Sequence, residues 1–528
     1  MFSGSSPESR GRPLFTAAVL SALLLLLMPY LLMFSSGTSG VIGVTSREPA
    51  VSGDGDPYHH AWQFWWVSRA LWSGQDPRFC PEIYAPDGAS LAYDHIGWFD
   101  AILFGALGPG GTGPALSHSL SIIAGTILTG VFGYLLARSW GAGRYGALFT
   151  ALALAWLPAR TAHLLQHYQI ANCWALPASL WAVTLYIDRG RRVFLALFAA
   201  AVLAAGMESP FISLFAVLSA LAVCFARGSG LRRAGALVLV WAAATAVPAI
   251  MLLTSPGQTG TLSPEWREAV YWSAEPQSFF LPSPFGPAGR FLGIPMRFSW
   301  MPNAAEGVVT PGITLLVLFG VYVWKTREWK LLLAAVLFCL LALGPELKLL
   351  GRPSGIPLPF RAARHLPLLG GVRAPSRFAI PAGVLVALGA GLAVAEMKDR
   401  WKRGVFALLI VETALPSIPV LSTAVPSACL EVEAGSTVLE LPVDSGVRRY
   451  SWFQTQSSYS RRYSFLARLP GLPSPEKMIS ASPAAGQTLI YHRWLYTEEE
   501  REVYDAALAP LFPRGSPSDS VWVRDYPE

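Results

Sequence analysis

Charge is what this sequence has least of. Only 14% of its 528 residues are Asp, Glu, Lys or Arg, against roughly 25% in a soluble domain. So few ions cannot cover the water-facing surface of a chain this long, which excludes an ordinary soluble protein. Cysteine is scarce as well: five residues rule out a disulfide-stapled scaffold. Cys173, Cys224 and Cys339 fall in apolar runs and read as packing, whereas Cys80 and Cys429 are expected on one side of the membrane and are candidates to pair. No CxxC, no HExxH and no Gly-rich phosphate cradle occurs, which sets aside zinc ribbons, zincin proteases and P-loop enzymes. Nor is there an internal repeat of the kind transporters carry. What the chain has in quantity is apolar and aromatic residue: 53% hydrophobic, with 19 Trp. These proportions describe a multi-spanning membrane protein.

Spans are expected at 13–34, 115–137, 145–159, 172–187, 193–207, 210–226, 234–254, 308–324, 330–344, 376–397 and 404–421, about eleven transmembrane helices. Several fall short of the roughly 20 residues that a bilayer requires. Trp98–Leu107 is too short to cross and reads as a surface or re-entrant helix. The first run is too long for a signal-peptide core and is expected to be retained. Arg10/Arg12, Arg138/Arg144, Arg189/Arg191/Arg192, Arg227/Arg232/Arg233, Lys325/Arg327/Lys330 and Lys398/Arg400/Lys402/Arg403 mark every second connection. That alternation is the positive-inside pattern, so the N-terminus is expected in the cytoplasm. The basic residues set topology, and the net charge of +7 does not point to nucleic acid. The loops 35–114, 255–307 and 345–375, the tail from 422, and all eight histidines then lie outside. Two domains follow, a membrane domain 1–421 and a small extracytoplasmic C-terminal α/β appendage, 422–528. In the appendage STVLELPV (436–443) and 521–524 read as strands and 497–511 as a helix.

The stretch richest in chemistry is Gly53-Asp54-Gly55-Asp56-Pro57-Tyr58-His59-His60. Asp56 suits an N-cap and Pro57 a first helical position, so a helix should start here and stop near Gly74. Tyr58, Trp62, Trp65, Arg69 and Trp72 share one face at helical spacing, a face suited to the headgroup layer. Asp54 and Asp56 serve equally as turn and cap residues, as a general base held at the positive end of a helix dipole, or as oxygen ligands for magnesium or manganese. His59 and His60 read either as solvated side chains or as substrate contacts. His163 and His167, with Gln166, form a polar cluster four residues apart; zinc there lacks a third ligand at a recognisable spacing. Glu208, between two spans, is either a cap or a functional acid at membrane depth. Arg361, Arg364, His365, Arg373 and Arg377 crowd one outer loop and break the inside bias. Guanidinium groups bind phosphate bidentately, so Arg364, Arg373 and Arg377 are candidates for a lipid phosphate.

Four stretches carry a resemblance: Gly53-Asp-Gly-Asp with Trp62, Trp65 and Trp66; Ile83-Tyr-Ala-Pro-Asp-Gly-Ala-Ser-Leu91; Phe279-Phe-Leu-Pro-Ser-Pro284; and Gly371-Val-Arg-Ala-Pro-Ser-Arg-Phe378. Together with the span pattern they resemble bacterial membrane proteins of the GT-C glycosyltransferase superfamily, over most of residues 1–420. The resemblance implies a polyprenyl-phosphate-type sugar donor, a glycan, lipid or protein acceptor, work at the outer face of the plasma membrane, and an essential acid in the first outer loop, here Asp54 or Asp56. The sequon-binding WWD motif of oligosaccharyltransferases is absent. Competing readings are a carrier or flippase for lipid-linked glycans and an envelope assembly protein.

Overall fold

The computed structural model describes residues 27–31, 40–43, 56–92, 94–106, 113–256, 266–295, 303–366, 369–415, 417–433, 436–441, 449–457, 460–461, 487–493, 498, 501–502, 505–506 and 521–525. In chain order the elements used below are β1 (Val41–Ile42), α1 (Asp56–Ser73), α2 (Trp98–Gly105), α3 (Pro114–Ser139), α4 (Arg144–Ala155), α5 (Pro158–Leu164), α6 (Ala175–Arg189), α7 (Arg192–Glu208), α8 (Pro210–Ala226), α9 (Leu231–Leu253), α10 (Trp266–Tyr271), α11 (Ala304–Gly307), α12 (Ile313–Thr326) and α13 (Trp329–Ala342). They continue with β2 (Glu346–Leu349), β3 (Arg352–Pro357), α14 (Phe360–Ala363), α15 (Ala379–Ala395), α16 (Asp399–Thr413), β4 (Val420–Leu421), β5 (Thr437–Leu441), α17 (Arg449–Ser457), β6 (Ser460–Arg461), β7 (Gln487–His492) and β8 (Val521–Asp525).

The protein is mostly helical. Among the described residues four stretches are long and apolar enough to cross a membrane: Pro114–Ser139, Tyr168–Arg189, Leu231–Leu253 and Pro375–Ala395. At 1.5 Å per residue, the shorter apolar helices α4, α8, α12 and α13 each reach only part of the way across 30 Å of hydrocarbon. The spans expected from 115 to 397 each coincide with a helix to within several residues, whereas the last, 404–421, overlaps α16 only to Thr413 and ends in β4. The first one, 13–34, lies outside the described residues except for 27–31, which are helical.

Contacts divide the chain into two compact units: residues 1–38, 121–248 and 262–418, and residues 39–120, 249–261 and 419–528. This grouping cuts the chain differently from the compositional step at 421/422. In the first unit α15 is the axis. Its sequence, AIPAGVLVALGAGLAVA, is apolar all round and buried from Ala379 to Val394, as a fully enclosed helix should be. Small residues let its neighbours come close: a Cβ on Gly391 would sit 1.9 Å from Thr150 Oγ1 and 2.7 Å from the Gly146 carbonyl of α4. Arg160 is buried here, with no carboxylate as partner among the described residues. It donates instead to the carbonyls of Ala155 (2.6 Å) and Ala171 (2.7 Å) and to Thr126 Oγ1 (2.7 Å). Ala155 and Ala171 each close a helix, so helix C-termini supply the negative ends that this cation needs. Glu412 of α16 does the reverse, accepting from the backbone N–H groups of Ile313 and Thr314 at the start of α12. Gly312 precedes that turn at φ +105, with the Glu412 carboxylate 3.3 Å from where a Cβ would stand, a position that favours glycine.

The second unit packs α1 against α2 and α17. β1 pairs antiparallel with β4, Val41 opposite Leu421. A four-stranded sheet runs β8-β7-β5-β6, antiparallel between β8 and β7 and parallel in the other two pairings. The expected strands at 436–443 and 521–524 are β5 and β8. The described positions within 497–511 (498, 501–502 and 505–506) are helical.

Two expectations are corrected here. The α1 helix does begin at Asp56, but it is not an interfacial stripe: Tyr58 and Trp62 are interior, and only its far end, with Arg69, Leu71 and Trp72, is exposed. The first two turns are buried on every side, by apolar neighbours and by the polar partners of His59, Trp62 and Gln63, so packing within the unit takes all the faces rather than one. Cys80 and Cys429 are both buried and both free, so they do not pair.

Candidate functional site

The structure supplies the third group that the histidine pair lacked. His163, on α5, and His167, just beyond it, have their Nδ1 atoms 3.2 Å apart. Glu306, on the single-turn α11, reaches both rings: its Oε2 lies 3.9 Å from His163 Nε2 and its Oε1 4.0 Å from His167 Nδ1. One ligand atom from each residue falls within 4.8 Å of the others. The two segments are tied by a backbone-to-side-chain bond, Ala305 N–H donating to Gln166 Oε1 at 3.2 Å.

Glu306 is held from the opposite direction by Pro375-Ser-Arg-Phe378, a 3₁₀ turn that Pro375 opens. Arg377 donates to Glu306 Oε1 from Nε (2.9 Å) and Nη2 (2.6 Å), and Ser376 Oγ–H donates to Oε2 at 2.6 Å. The next residue, Phe378, is buried against Phe215, Phe338 and Phe360, which fixes the turn on the core. The Arg377 guanidinium also rests over Phe211, 4.9 Å from the ring centre. Arg373 donates to Glu268 Oε1 at 3.2 Å and lies over Trp272. Trp272 in turn accepts, through its carbonyl, the N–H of Ser376.

Charges in this cluster are set by burial and by each other. Burial alone would raise the Glu306 carboxyl, but the Arg377 guanidinium and the two imidazoles outweigh it and hold the group well below the usual carboxylate range. His163 is pushed down to about 3, first by burial; Glu306 pulls the other way. At neutral pH the centre therefore holds an ionised carboxylate, a guanidinium and a neutral imidazole. A neutral imidazole keeps a lone pair for a metal or a proton. For a metal, the His163 and His167 Nδ1 atoms stand 3.2 Å apart, close to the roughly 3.3 Å between tetrahedral zinc ligands bonded at about 2.0–2.1 Å. The carboxylate oxygens lie farther off, at 3.9 and 4.0 Å, and are already held by Arg377 and Ser376.

Of the other expected residues, Arg364 lies over Trp266, 4.7 Å from the ring centre, with Arg361 at 5.4 Å. Glu208 is buried at the end of α7, two residues before the proline that opens α8. Asp54 lies outside the described residues, and Asp56 is the first residue of α1. His59 and His60 are buried in the second unit rather than solvated. His59 Nε2 donates to both oxygens of Asp94 at 2.9 Å, and its Nδ1 lies 3.4 Å from Ser451 Oγ. His60 bonds Gln63, which itself donates to Asp94. Hydroxyl, imidazole and carboxylate stand in the order of a nucleophilic triad. Ser451 is wholly buried, however, and also accepts from Arg461, so the network joins α1 to α17 and the sheet.

The structure thus brings together His163, His167 and Arg377, with Arg373 alongside. It adds Glu306, Ser376 and Glu268, which the sequence reading passed over. Nothing in local spacing links Glu306 to histidines far upstream; its only signal is an acid in a long connection of a chain poor in acids.

A family model described as "Domain of unknown function (DUF6311)" matches residues 15–415. No curated protein matches the sequence. Among solved structures, the chain is similar to the archaeal oligosaccharyltransferase AglB from Archaeoglobus fulgidus in complex with an inhibitory peptide and a dolichol-phosphate: 11% identity, TM-score 0.52, covering 95% of this chain and 72% of that one. The apo form of the Archaeoglobus fulgidus oligosaccharyltransferase gives 11% identity and TM-score 0.50 over 90% and 69%. ArnT from Cupriavidus metallidurans bound to undecaprenyl phosphate is more distant, at 13% identity and TM-score 0.40 over 76% and 63%. At such identities the likeness is one of fold alone.

Proposed function

We propose, from the premise that this chain belongs to the family described as a domain of unknown function (DUF6311) and has a GT-C fold, that it is an integral membrane glycosyltransferase. It moves a sugar from a polyprenyl-phosphate-type lipid to an acceptor on the extracytoplasmic side of the plasma membrane, with about eleven crossings and its C-terminal residues outside. The observation that carries this reading is the Glu306 cluster. Burying a carboxylate, a guanidinium and two imidazoles costs solvation that helix packing alone would never require. A cluster of this kind on a lipid-sugar transferase fold supports phosphate chemistry.

Roles follow from the chemistry of each group. Asp54 or Asp56 is the general base that takes the acceptor proton. His163, His167 and Glu306 would hold a divalent cation, and two nitrogen donors would suit zinc or a similar transition metal better than magnesium or manganese. A bound cation would neutralise charge on a phosphate oxygen. Arg377 and Ser376 aim the Glu306 carboxylate, and Arg373 and Arg364 face the anionic donor. His59 and His60, bonded to Asp94 and Gln63, brace α1 within the second unit, and Glu208 braces the α7–α8 turn.

The test is transfer by purified protein from a lipid-linked sugar donor. Asp54→Asn or Asp56→Asn, whichever removes the base, should lower turnover by about 10²–10⁴-fold with donor binding retained. Glu306→Gln should lower both turnover and zinc content. Wild-type turnover in all three variants would remove the base and cation assignments, and no transfer by the wild-type protein would sink the proposal.

A further inference from the structure

The β2–β3 hairpin is built inside out. In a hairpin that faces water, leucines turn inward and charged side chains outward. Here Lys348 is only 4% exposed, whereas Leu349 and Leu350 stand 47% and 69% exposed. Lys348 Nζ donates inward to the Tyr271 carbonyl at 3.2 Å and lies 3.8 Å from Oε1 of Glu275, which is wholly buried. Leu349 pairs with Arg352, so Leu350-Gly351 is a two-residue turn, at φ +49 and +82. A turn with positive φ at both central residues ordinarily takes Asn, Asp or Gly in first place, and a bulky side chain there is strained. Two local preferences are set aside together, each in favour of an outward leucine.

This turn is held beside the end of a membrane helix. Glu275 accepts the N–H of Gly351 at 2.8 Å. The residue before Glu275, Ala274, donates to the carbonyl of Ala342, the last residue of α13, at 3.0 Å. Gly344, at φ +76, has Ser273 Oγ where a Cβ would stand, which seats the same segment on the helix end. α13 has 14 residues, a rise of about 21 Å against roughly 30 Å of hydrocarbon. Its outward row, Leu333, Val336 and Leu337, is exposed, as on a helix that lipid surrounds. Leu349 and Leu350 supply further apolar surface where that helix runs out. Tyr271, also exposed, adds an aromatic side chain of the kind favoured at headgroup depth.

We infer that the β2–β3 turn is an interfacial anchor, with Leu349 and Leu350 set into the apolar edge of the bilayer. The occupant of this surface is lipid, since the turn adjoins the end of a helix whose own outward row is apolar. A crossing helix shorter than the hydrocarbon layer thins the membrane around it, and two leucines at its end extend the apolar length instead. The backbone of the turn stays at headgroup depth, because unpaired strand edges are not tolerated deeper. Lys348 and Glu275 fix the direction in which the leucines point. The inference rests on the integral membrane reading above and not on sugar transfer.

The test is the depth of a nitroxide label on full-length protein in phosphatidylcholine vesicles. Leu349→Cys and Leu350→Cys are made singly in a Cys339→Ser background, the other four native cysteines being buried. Leu337→Cys, on the outward row of α13, is the lipid standard, and Asp87→Cys, an exposed position of the second unit, is the water standard. Collision of the label with oxygen, which concentrates in hydrocarbon, is compared with collision with a water-soluble nickel chelate. The oxygen-to-nickel ratio at Leu349→Cys and Leu350→Cys should rise above that of Asp87→Cys toward that of Leu337→Cys, with thermal unfolding as in the wild type. Ratios equal to the water standard, with Leu337→Cys still lipid-like, overturn the anchor and leave the membrane reading standing. Weak collision with both probes also overturns it, since protein would then cover the turn. A water-like ratio at Leu337→Cys itself overturns the membrane reading and the anchor together.

Discussion

Single residues in this protein matter through what they neutralise. Glu412, inside a span that offered it no partner in sequence, caps α12 with both oxygens. Glu412→Ala leaves two N–H groups uncapped, with an expected cost of about 1–3 kcal/mol. A drop in melting temperature of the detergent-solubilised protein checks it, and Glu412→Gln should recover part of the loss. His163 gives a pH dependence whose sign is determined. Its pKa falls from 6.5 to about 3 on folding, so the unfolded chain binds the extra proton between those values. The contribution is fully present above pH 6.5 and is lost as pH falls toward 3. Glu306, also lowered, adds loss of the same sign at still lower pH. Measured with chelator present, melting should fall from pH 7 to pH 5, and His163→Gln should flatten that slope. An unchanged slope would contradict the buried neutral ring.

At the level of elements, the governing contact is the crossing of α4 and α15. Gly391→Ala places a methyl against Thr150 and the Gly146 carbonyl, backbone that cannot swing aside, and overpacking of this kind costs about 1–3 kcal/mol. Gly391→Val should cost more than Gly391→Ala; equal melting of both with wild type would mean that the helices slide apart freely. The 3₁₀ turn at Pro375–Phe378 shows how an element carries function. Its proline sets the turn, Phe378 anchors it, and Ser376 and Arg377 are thereby aimed at one carboxylate.

Across the whole molecule, the alternation of basic connections is proposed to set which ends face the cytoplasm. His365→Cys should react with an impermeant maleimide added to intact cells, and Ser229→Cys only after permeabilisation; the reverse pattern would invert the topology. Of the five native cysteines, four are buried and Cys339 is half-buried, which keeps the background low. The helix positions, the start of α1 at Asp56 and two of the tail strands were all legible in the chain, because apolar period, capping residues and β-branched runs are local signals.

Local signals also account for the class of the protein. Scarce charge, apolar runs of bilayer length and the placement of arginine by themselves determined a multi-spanning helical protein and the set of residues worth watching. Tertiary structure alone decided which of them meet. It joined His163 and His167 to Glu306 and turned Arg377 inward to that carboxylate. It also enclosed His59 and His60 with Asp94 and gave the uncompensated Arg160 two helix ends in place of an acid. The physical reason is that buried charge must be balanced by whatever the folded chain brings within a few ångströms, and sequence separation says nothing about that distance.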